Sequence, residues 1–169
     1  MREKLVELLP SLYRYLYRLC GESHLAEDLA QDAVVRAMKA LDQLESHAAL
    51  RAWLFRIGSN VWRDHCRLAG RIRAMEDEIQ NQTLDVPFMA TEPGPDEIVN
   101  QREQVQWTQQ AIMQLPERQR MVLTLVVCEE LSHREVAKVL DISPDAVKAN
   151  LSVARANMRK MWQQRGQHD

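Results

Sequence analysis

A single proline-rich, acidic segment divides the helical pattern of this 169-residue chain into two halves. Residues 74–96 contain three of the six prolines and no sustained periodicity, so we predict a flexible acidic linker there. On both sides of it, apolar residues recur at helical spacing, and no alternating run of Val, Ile and Thr predicts a strand. We therefore predict an all-α fold of two small helical domains, residues 1–73 and 97–169.

The formal net charge of −2 hides an uneven distribution of charge along the chain. By count, residues 1–73 carry a net charge of +3, residues 74–103 a net charge of −7 and residues 104–169 a net charge of +2. Two mildly basic ends therefore flank an acidic middle. The near-neutral total does not argue against nucleic-acid binding by either end.

The cysteines and the hydropathy pattern exclude several classes of protein. Cys20, Cys66 and Cys128 are widely spaced and form neither a CxxC motif nor a Cys/His cluster, so we predict no disulfide framework, no metal site and no cofactor. Neither a signal peptide nor a membrane-spanning run is recognisable. We expect a cytoplasmic protein without membrane insertion.

The C-terminal half carries the pattern of a helix-turn-helix. Ser132 and Glu135 have the spacing of a capping box, in which each side chain bonds the backbone at the start of a helix. Asp141 stands at the predicted turn, where glycine is usual and a left-handed conformation is expected. Ser143 and Pro144 then cap and open the last helix.

The last helix has two faces. An apolar stripe predicted to face the core contains Val147, Leu151, Ala154, Met158 and Met161. A polar, mostly basic stripe contains Lys148, Ser152, Arg155 and Arg159. A charged stripe alone more often means a solvated face, but together with the capping box and the turn it favours contact with DNA phosphates and base edges.

The N-terminal half contains a second basic helix. We predict that Ser23 caps the second helix, and that Ser46 caps a long third helix running to about Arg71. The predicted core face of the third helix contains Leu50, Trp53, Leu54, Ile57, Val61 and Leu68. Its basic stripe contains Arg56, Asn60, Arg63, Arg67 and Arg71. Such a stripe near aromatic residues suits single-stranded nucleic acid.

Three other residues of this helix leave alternatives open. Phe55 and Trp62 could equally pack against another helix or contact DNA. Gly58 in mid-helix costs about 1 kcal/mol relative to alanine, which indicates a close approach by a neighbour or a local bend.

These segments resemble the extracytoplasmic-function (ECF) group of the sigma-70 family, the small sigma factors of bacterial RNA polymerase. The first domain carries A-E-D-L-A-Q-D-A-V-V-R-A and R-A-W-L-F-R-I-G-S-N-V-W-R-D-H-C-R. The second carries L-P-E-R-Q-R-M-V-L-T-L and E-E-L-S-H-R-E-V-A-K-V-L-D-I-S-P-D-A-V-K-A-N-L. The resemblance implies a promoter-specific transcription initiation factor, with region 2 in residues 1–73 and region 4 in residues 97–169.

The resemblance and the basic stripes together imply three sets of contact residues. The set expected to bind a coiled coil on the largest subunit of core polymerase is Glu27, Asp28, Gln31, Asp32 and Arg36. The set expected to recognise and melt the −10 promoter element is Ser46, His47, Arg51, Arg56, Asn60, Trp62, Arg63, Asp64, Arg67 and Arg71. The set expected to read the −35 element in double-stranded DNA is Ser132, His133, Arg134, Lys148, Asn150, Ser152, Arg155 and Arg159.

The resemblance also implies further partners and some departures from the family pattern. Region 4 would bind the flap of the second large polymerase subunit, and we expect an anti-sigma factor as an inhibitory partner. The recognition helix has Ala149-Asn150 where many relatives carry Ser-Arg, and Val153 occupies a frequently basic position. The promoter sequence is therefore not predicted.

Three other functional classes fit the sequence less well, and the first of them, a pure protein-binding adaptor, leaves both basic stripes unexplained. An enzyme finds no support, because the chain has no glycine-rich phosphate loop, no HExxH motif and no nucleophile motif. A stand-alone helix-turn-helix regulator is the serious alternative, and such proteins usually dimerise on palindromic sites.

Overall fold

Seven α-helices make up most of the computed structural model, which describes residues 2–44, 46, 49–79 and 96–165. The N-terminal half contains α1 (Arg2–Cys20), α2 (Ser23–Ala40), a 3₁₀ turn (Leu41–Gln43) and α3 (Leu50–Ile79). The C-terminal half contains α4 (Asp96–Met113), α5 (Glu117–Leu123), a π-helical turn (Thr124–Cys128), α6 (His133–Leu140) and α7 (Pro144–Arg165). No strand occurs in these residues, which confirms the all-α prediction.

The N-terminal half is a three-helix bundle in which α1 packs against both α2 and α3. The buried side chains of α1 include Leu12, Leu16 and Leu19, and the face that α2 presents to them carries alanines at helical spacing. Because alanine side chains are short, α2 lies close to its neighbours. Pro10 lies within α1 without ending it.

Two helix boundaries of this half differ from the predictions. The N-cap of α2 is Glu22 rather than Ser23, and the Glu22 carboxylate accepts bonds from the backbone N–H of His24 (2.8 Å) and Leu25 (2.6 Å). A carboxylate also complements the positive end of the helix dipole. Helix α3 begins at Leu50, four residues after Ser46, so Ser46 is not its cap.

Helix α3 also continues beyond Arg71 to Ile79 and takes in the first six residues of the predicted linker. The rest of that linker, residues 80–95, lies outside the described residues.

Phe55 and Trp62 of α3, for which the sequence allows either helix packing or DNA contact, are both buried. Phe55 is fully buried and packs edge-on against Tyr15, with 5.3 Å between ring centroids. The Tyr15 hydroxyl shares a buried 2.7 Å hydrogen bond with Ser59, and burial raises the pKa of Tyr15. Trp62 is 8% exposed. Leu68, by contrast, is 58% exposed, so its assignment to the core face was wrong.

The helix-turn-helix of the second half forms as predicted. Ser132 Oγ accepts a bond from the Glu135 backbone N–H (3.3 Å), and Glu135 Oε2 accepts one from the Ser132 backbone N–H (2.8 Å), which completes the capping box. Asp141 adopts the left-handed conformation at φ 56°. Ser143 Oγ accepts the Ala146 backbone N–H at 3.1 Å, at the start of α7.

The segment from Glu117 to Glu130 is not one continuous α-helix. Its α-helical part ends at Leu123, and the chain then makes the π-helical turn Thr124–Cys128. Such a turn shifts the register of the following side chains relative to an α-helix. Glu129 directly follows this turn and is buried, whereas Glu130 is exposed.

The two halves pack against each other in this structure. Helix α3 lies against α6, and α1 lies against α4, α5 and the π-helical turn. The buried side chains of both halves form one continuous cluster. The two predicted domains are thus in contact through their helices.

Gly58 and Gly70 offer a matched test of packing within α3. A Cβ atom on Gly58 would lie 2.6 Å from Cδ1 of Leu12, which is fully buried, whereas one on Gly70 would meet nothing within 4 Å. Overpacking costs about 1–3 kcal/mol, and alanine gains up to about 1 kcal/mol in helix propensity. We expect Gly58→Ala to lower the free energy of unfolding and Gly70→Ala to raise it, as measured by urea denaturation. Equal stabilisation by both changes would show that α1 does not approach α3 so closely.

Candidate nucleic-acid and protein interfaces

The outer surface of the helix-turn-helix carries most of the residues predicted to read the −35 element. Val147, Leu151 and Ala154 of α7 are buried, which confirms the first three residues of the predicted core stripe. The predicted contact residues that are exposed are Ser132, Arg134, Lys148, Ser152, Arg155 and Arg159. The start of α6 and the outer face of α7 therefore form one surface, which we call the α6–α7 face.

Some polar groups of the α6–α7 face are already engaged within the protein. The Ser132 hydroxyl donates to Glu135 at 2.6 Å, and this bonding lowers the pKa of the Glu135 carboxyl. The Asn150 amide donates to the Ala146 carbonyl at 2.8 Å, one turn back in the same helix. Lys148 lies 3.8 Å from Asp145, a distance at which a surface ion pair contributes little.

The basic stripe of α3 is divided between solvent and the other half of the protein. Arg56, Asn60, Arg67 and Arg71 are exposed. Arg51 and Arg63 are instead half-buried: Arg51 Nη2 donates to the Glu129 carbonyl at 2.6 Å, and Arg63 Nη2 to the Leu140 carbonyl at 3.4 Å.

The remaining residues of the predicted −10 set have three different placements. Ser46 and Asp64 are exposed, and His47 lies outside the described residues. Trp62 packs in the core, with its ring stacked 6.0 Å from that of His65. In this structure helix packing covers the indole that would have to stack on a base, and the assignment of Trp62 to the DNA-binding set stays a prediction.

Glu129 is the centre of the contact between the halves. Its carboxylate is 3% exposed and lies 3.2 Å from Arg18 Nη1 and 3.7 Å from Arg51 Nη2. Burial raises the pKa of Glu129, while the two guanidinium groups act in the opposite direction. Two arginines from separate helices of the first half thus hold one buried acid of the second.

The second half also satisfies the open carbonyl groups at the end of α1. The last turn of a helix has carbonyl groups without partners in the helix. Arg120 Nη1 donates to the Leu19 carbonyl at 2.5 Å, and Gln109 Nε2 donates to the carbonyls of Tyr17 (3.3 Å) and Arg18 (3.5 Å). A cation is also favourable at the negative end of the helix dipole. Burial lowers the pKa of Arg120.

Sequence reasoning missed both Glu129 and Arg120. Arg120 follows the polar residues Glu117, Arg118 and Gln119, and Glu129 stands beside Glu130, so neither differs in the sequence from an ordinary solvated charge. Their partners are about 100 residues away in the chain, as the separations of 111 and 101 residues for Arg18–Glu129 and Leu19–Arg120 show. No local spacing could have indicated these contacts.

The residues predicted to bind polymerase share one exposed face of α2. These are Glu27, Asp28, Gln31, Asp32 and Arg36. Arg36 donates to both carboxylate oxygens of Asp32, at 3.1 and 2.9 Å, and to Asp64 of α3 at 3.0 Å. These bonds raise the pKa of Arg36. The α2 face is therefore linked directly to the basic helix α3.

The described part of the chain holds no group of three or more His, Cys, Asp or Glu side chains arranged for a metal ion. None of its helices is both long and apolar enough to span a membrane.

A helix-turn-helix with a charged outer face, joined to a second basic helix, defines an all-α DNA-binding protein. Two family descriptions match the chain: "Sigma-70 region 2" over residues 5–72 and "Sigma-70, region 4" over residues 106–158. The chain belongs to the ECF group of the sigma-70 family of RNA polymerase sigma factors. This membership favours a sigma factor over a stand-alone regulator.

Similar proteins support this membership over most of the chain. The ECF RNA polymerase sigma factor SigW of Bacillus subtilis is 30% identical over 152 residues, which cover 88% of this chain and 81% of SigW. The RNA polymerase sigma factor CnrH of Cupriavidus metallidurans is 33% identical over 135 residues, which cover 78% of this chain and 70% of CnrH.

A solved structure supports the fold. The sigma factor RpoE in complex with the anti-sigma factor NepR from Bartonella quintana matches with a TM-score of 0.76 at 23% identity, covering 96% of each chain.

Substituting Arg18 tests the contact between the halves, because Arg18 belongs to none of the three predicted sets of DNA- and polymerase-binding residues. Arg18→Ala would leave the buried Glu129 carboxylate with Arg51 as its remaining ion-pair partner. A hydrogen bond to a charged group is worth about 1.5–3 kcal/mol, so we expect a loss of about 1–2 kcal/mol in urea denaturation, because Arg18 is partly solvated. Arg102→Ala, which changes an exposed arginine of α4, is the control and should cost much less.

The direction in which the pKa of Glu129 is shifted predicts how the stability loss caused by Arg18→Ala depends on pH. A carboxyl whose pKa is raised in the folded state favours folding when protonated, and this advantage is lost as the pH rises above the ordinary value of 4.5. The loss caused by Arg18→Ala should therefore grow from pH 4.5 to pH 8, and adding Glu129→Gln should remove this dependence. A loss that does not vary with pH would show that Arg18 acts on something other than the Glu129 charge.

Proposed function

We propose that three faces of this sigma factor divide the work of transcription initiation. The α6–α7 face binds the −35 element, the exposed stripe of α3 binds the −10 element as its strands separate, and the acidic face of α2 binds core polymerase. The single observation that carries the proposal is that two separate basic faces on one chain remain uncovered by its core, while α2 exposes a third, acidic face.

Charge and shape support the role of the α6–α7 face. An α-helix fits the major groove of B-form DNA, and the second helix of a helix-turn-helix is the one that enters it. Lys148, Arg155 and Arg159 are exposed along one flank of α7, where they can neutralise phosphates. Arg134 adds a further cation from α6.

The stripe of α3 has the chemistry for a separating duplex. Arg56, Arg67 and Arg71 supply positive charge, and Asn60 supplies an amide that can donate to and accept from an unpaired base. Arg51 and Arg63 would join this set once the C-terminal half has moved away from α3, because both are bonded to it here.

The acidic face of α2 supports binding to a cationic partner surface. Its five polar residues are exposed, and the hydrogen bonds of Arg36 go to Asp32 and Asp64 within the N-terminal half. The flap of the second large subunit would take region 4. We further propose an anti-sigma factor as inhibitor, since solved neighbours of this fold are complexes of that kind. The protein would work in the cytoplasm and catalyse no reaction of its own.

The exposed arginines of α3 can be tested by a double substitution. We expect Arg56→Ala with Arg67→Ala to slow promoter opening by core polymerase at least tenfold, because two phosphate contacts are lost. Opening is measured by permanganate footprinting of unpaired thymines, and core binding by co-purification. Arg102→Ala, an exposed arginine of α4, is the control. If the double variant instead lost core polymerase and still melted DNA, the assignment of α3 would be wrong.

The α2 face can be tested at Asp32. We expect Asp32→Ala to weaken core binding about tenfold, as measured by competition with the unaltered chain, and to leave promoter choice unchanged. Asp32→Ala also removes two of the three hydrogen bonds of Arg36, and Asp64→Ala removes the third. Comparing the two variants separates the effect of releasing Arg36 from that of losing the Asp32 carboxylate. Unchanged affinity of the Asp32 variant for core, with Asp42→Ala as control, would refute the assignment.

A further inference from the structure

The line of α7 that projects furthest from the core is apolar rather than charged. Ala149, Val153 and Ala156 are all exposed, and Val153 has 47% of its surface accessible. At about 100° per residue these three positions fall within about 60° of each other and about opposite the buried residues Val147 and Leu151. We call this line the apolar crest of α7; Lys160 continues it at its C-terminal end.

The cations of α7 lie to one side of this crest. Lys148, Arg155 and Arg159 follow a line about a quarter of a turn away, with Ser152 between that line and the crest. A helix that enters the major groove directs its outermost line at the base edges and its flanks at the phosphates. The cationic flank of α7 is therefore suited to bind phosphates. The crest is suited to contact an apolar group on a base edge, because its side chains cannot form hydrogen bonds.

Only one group on the base edges of the major groove is apolar, namely the C5-methyl group of thymine. A single exposed valine has no special meaning on a protein surface. The crest differs because its small and branched side chains follow one another at i, i+4 and i+7 in the part of a recognition helix that approaches the bases.

From this arrangement, and resting on the proposed binding of the −35 element by the α6–α7 face, we propose that Val153, with Ala149 beside it, selects thymine in the −35 element by packing against its methyl group. Val153 is thus a specificity-determining residue. Lys148 and Arg155 supply affinity without distinguishing between bases.

The test compares thymine with deoxyuridine, which differs from it by that methyl group alone. A promoter library randomised over the −35 element is first transcribed by core polymerase with the full chain, and the preferred sequence is determined. Each thymine of that sequence is then replaced in turn by deoxyuridine, and holoenzyme binding to the duplex is measured. Removing one buried methyl group should weaken binding by about three- to fivefold at one or two positions.

Val153→Ala should abolish the sensitivity to deoxyuridine at one of those positions. The control is Val127→Ala, because Val127 is 49% exposed and belongs to the π-helical turn rather than to α7. This control should retain the full three- to fivefold difference. Both valines are half exposed, so neither variant should lose the fold, which circular dichroism verifies.

Three results would overturn the inference: a preferred −35 element without thymine, no position sensitive to deoxyuridine, or a sensitivity that persists in the Val153 variant. The proposed role of the α6–α7 face is judged separately by Lys148→Ala with Arg155→Ala. If that double variant weakens binding to all −35 sequences alike while deoxyuridine has no effect, the face binds DNA and only the methyl contact is disproved. If the double variant binds promoters normally, the proposed function of the face fails as well.

Discussion

The buried carboxylate of Glu129 is the contact on which the relation between the two halves depends. Glu129 follows a π-helical turn, which changes the direction of its side chain relative to an uninterrupted α-helix. Its carboxylate lies against Arg18 and Arg51. A buried acid is tolerated only where cations and hydrogen bonds replace its lost water. The raised pKa of Glu129 indicates that this replacement is incomplete. The contact is specific in its geometry, and the cost of removing the carboxylate from water offsets part of its attraction to the two arginines.

Further polar contacts between the halves lie beside the apolar cluster that the halves share. Arg120 and Gln109 complete the hydrogen bonds of the last carbonyls of α1, and Arg63 donates to the Leu140 carbonyl at the end of α6. Each such bond contributes about 1 kcal/mol, because water would replace it if the halves parted. Water can replace these polar contacts if the halves part, whereas the apolar side chains of the shared cluster would then be exposed. In this structure the guanidinium groups of Arg51 and Arg63, which belong to the proposed −10 set, donate to carbonyls of the second half.

The sequence predicts features that depend on local spacing and fails where distant segments meet. The capping box of Ser132 with Glu135, the left-handed Asp141 and the buried stripe of α7 all follow from residues within a few turns of each other. Trp62 and Leu68 show the limit, since periodicity places both on α3 but cannot tell which neighbouring helix covers which flank. The partners of Glu129 and Arg120 lie about 100 residues away, and the π-helical turn that positions Glu129 has no composition signal in the sequence.

The proposed division of α7 into a charged flank and an apolar crest separates affinity from selectivity in physical terms. Phosphate contacts release counterions, so their contribution falls steeply as the salt concentration rises and is the same for every sequence. A methyl group packed against Val153 is removed from water, and its contribution is not screened by salt. Such a contact distinguishes thymine from other bases by about 1 kcal/mol or less, below the 1–3 kcal/mol of a good bidentate hydrogen-bond pair. A recognition helix of this composition therefore selects its site weakly by itself. Under the proposed roles of the three faces, promoter choice depends on the sum of −35, −10 and polymerase contacts, and Arg51 and Arg63 would add to the −10 contact once the second half has left α3.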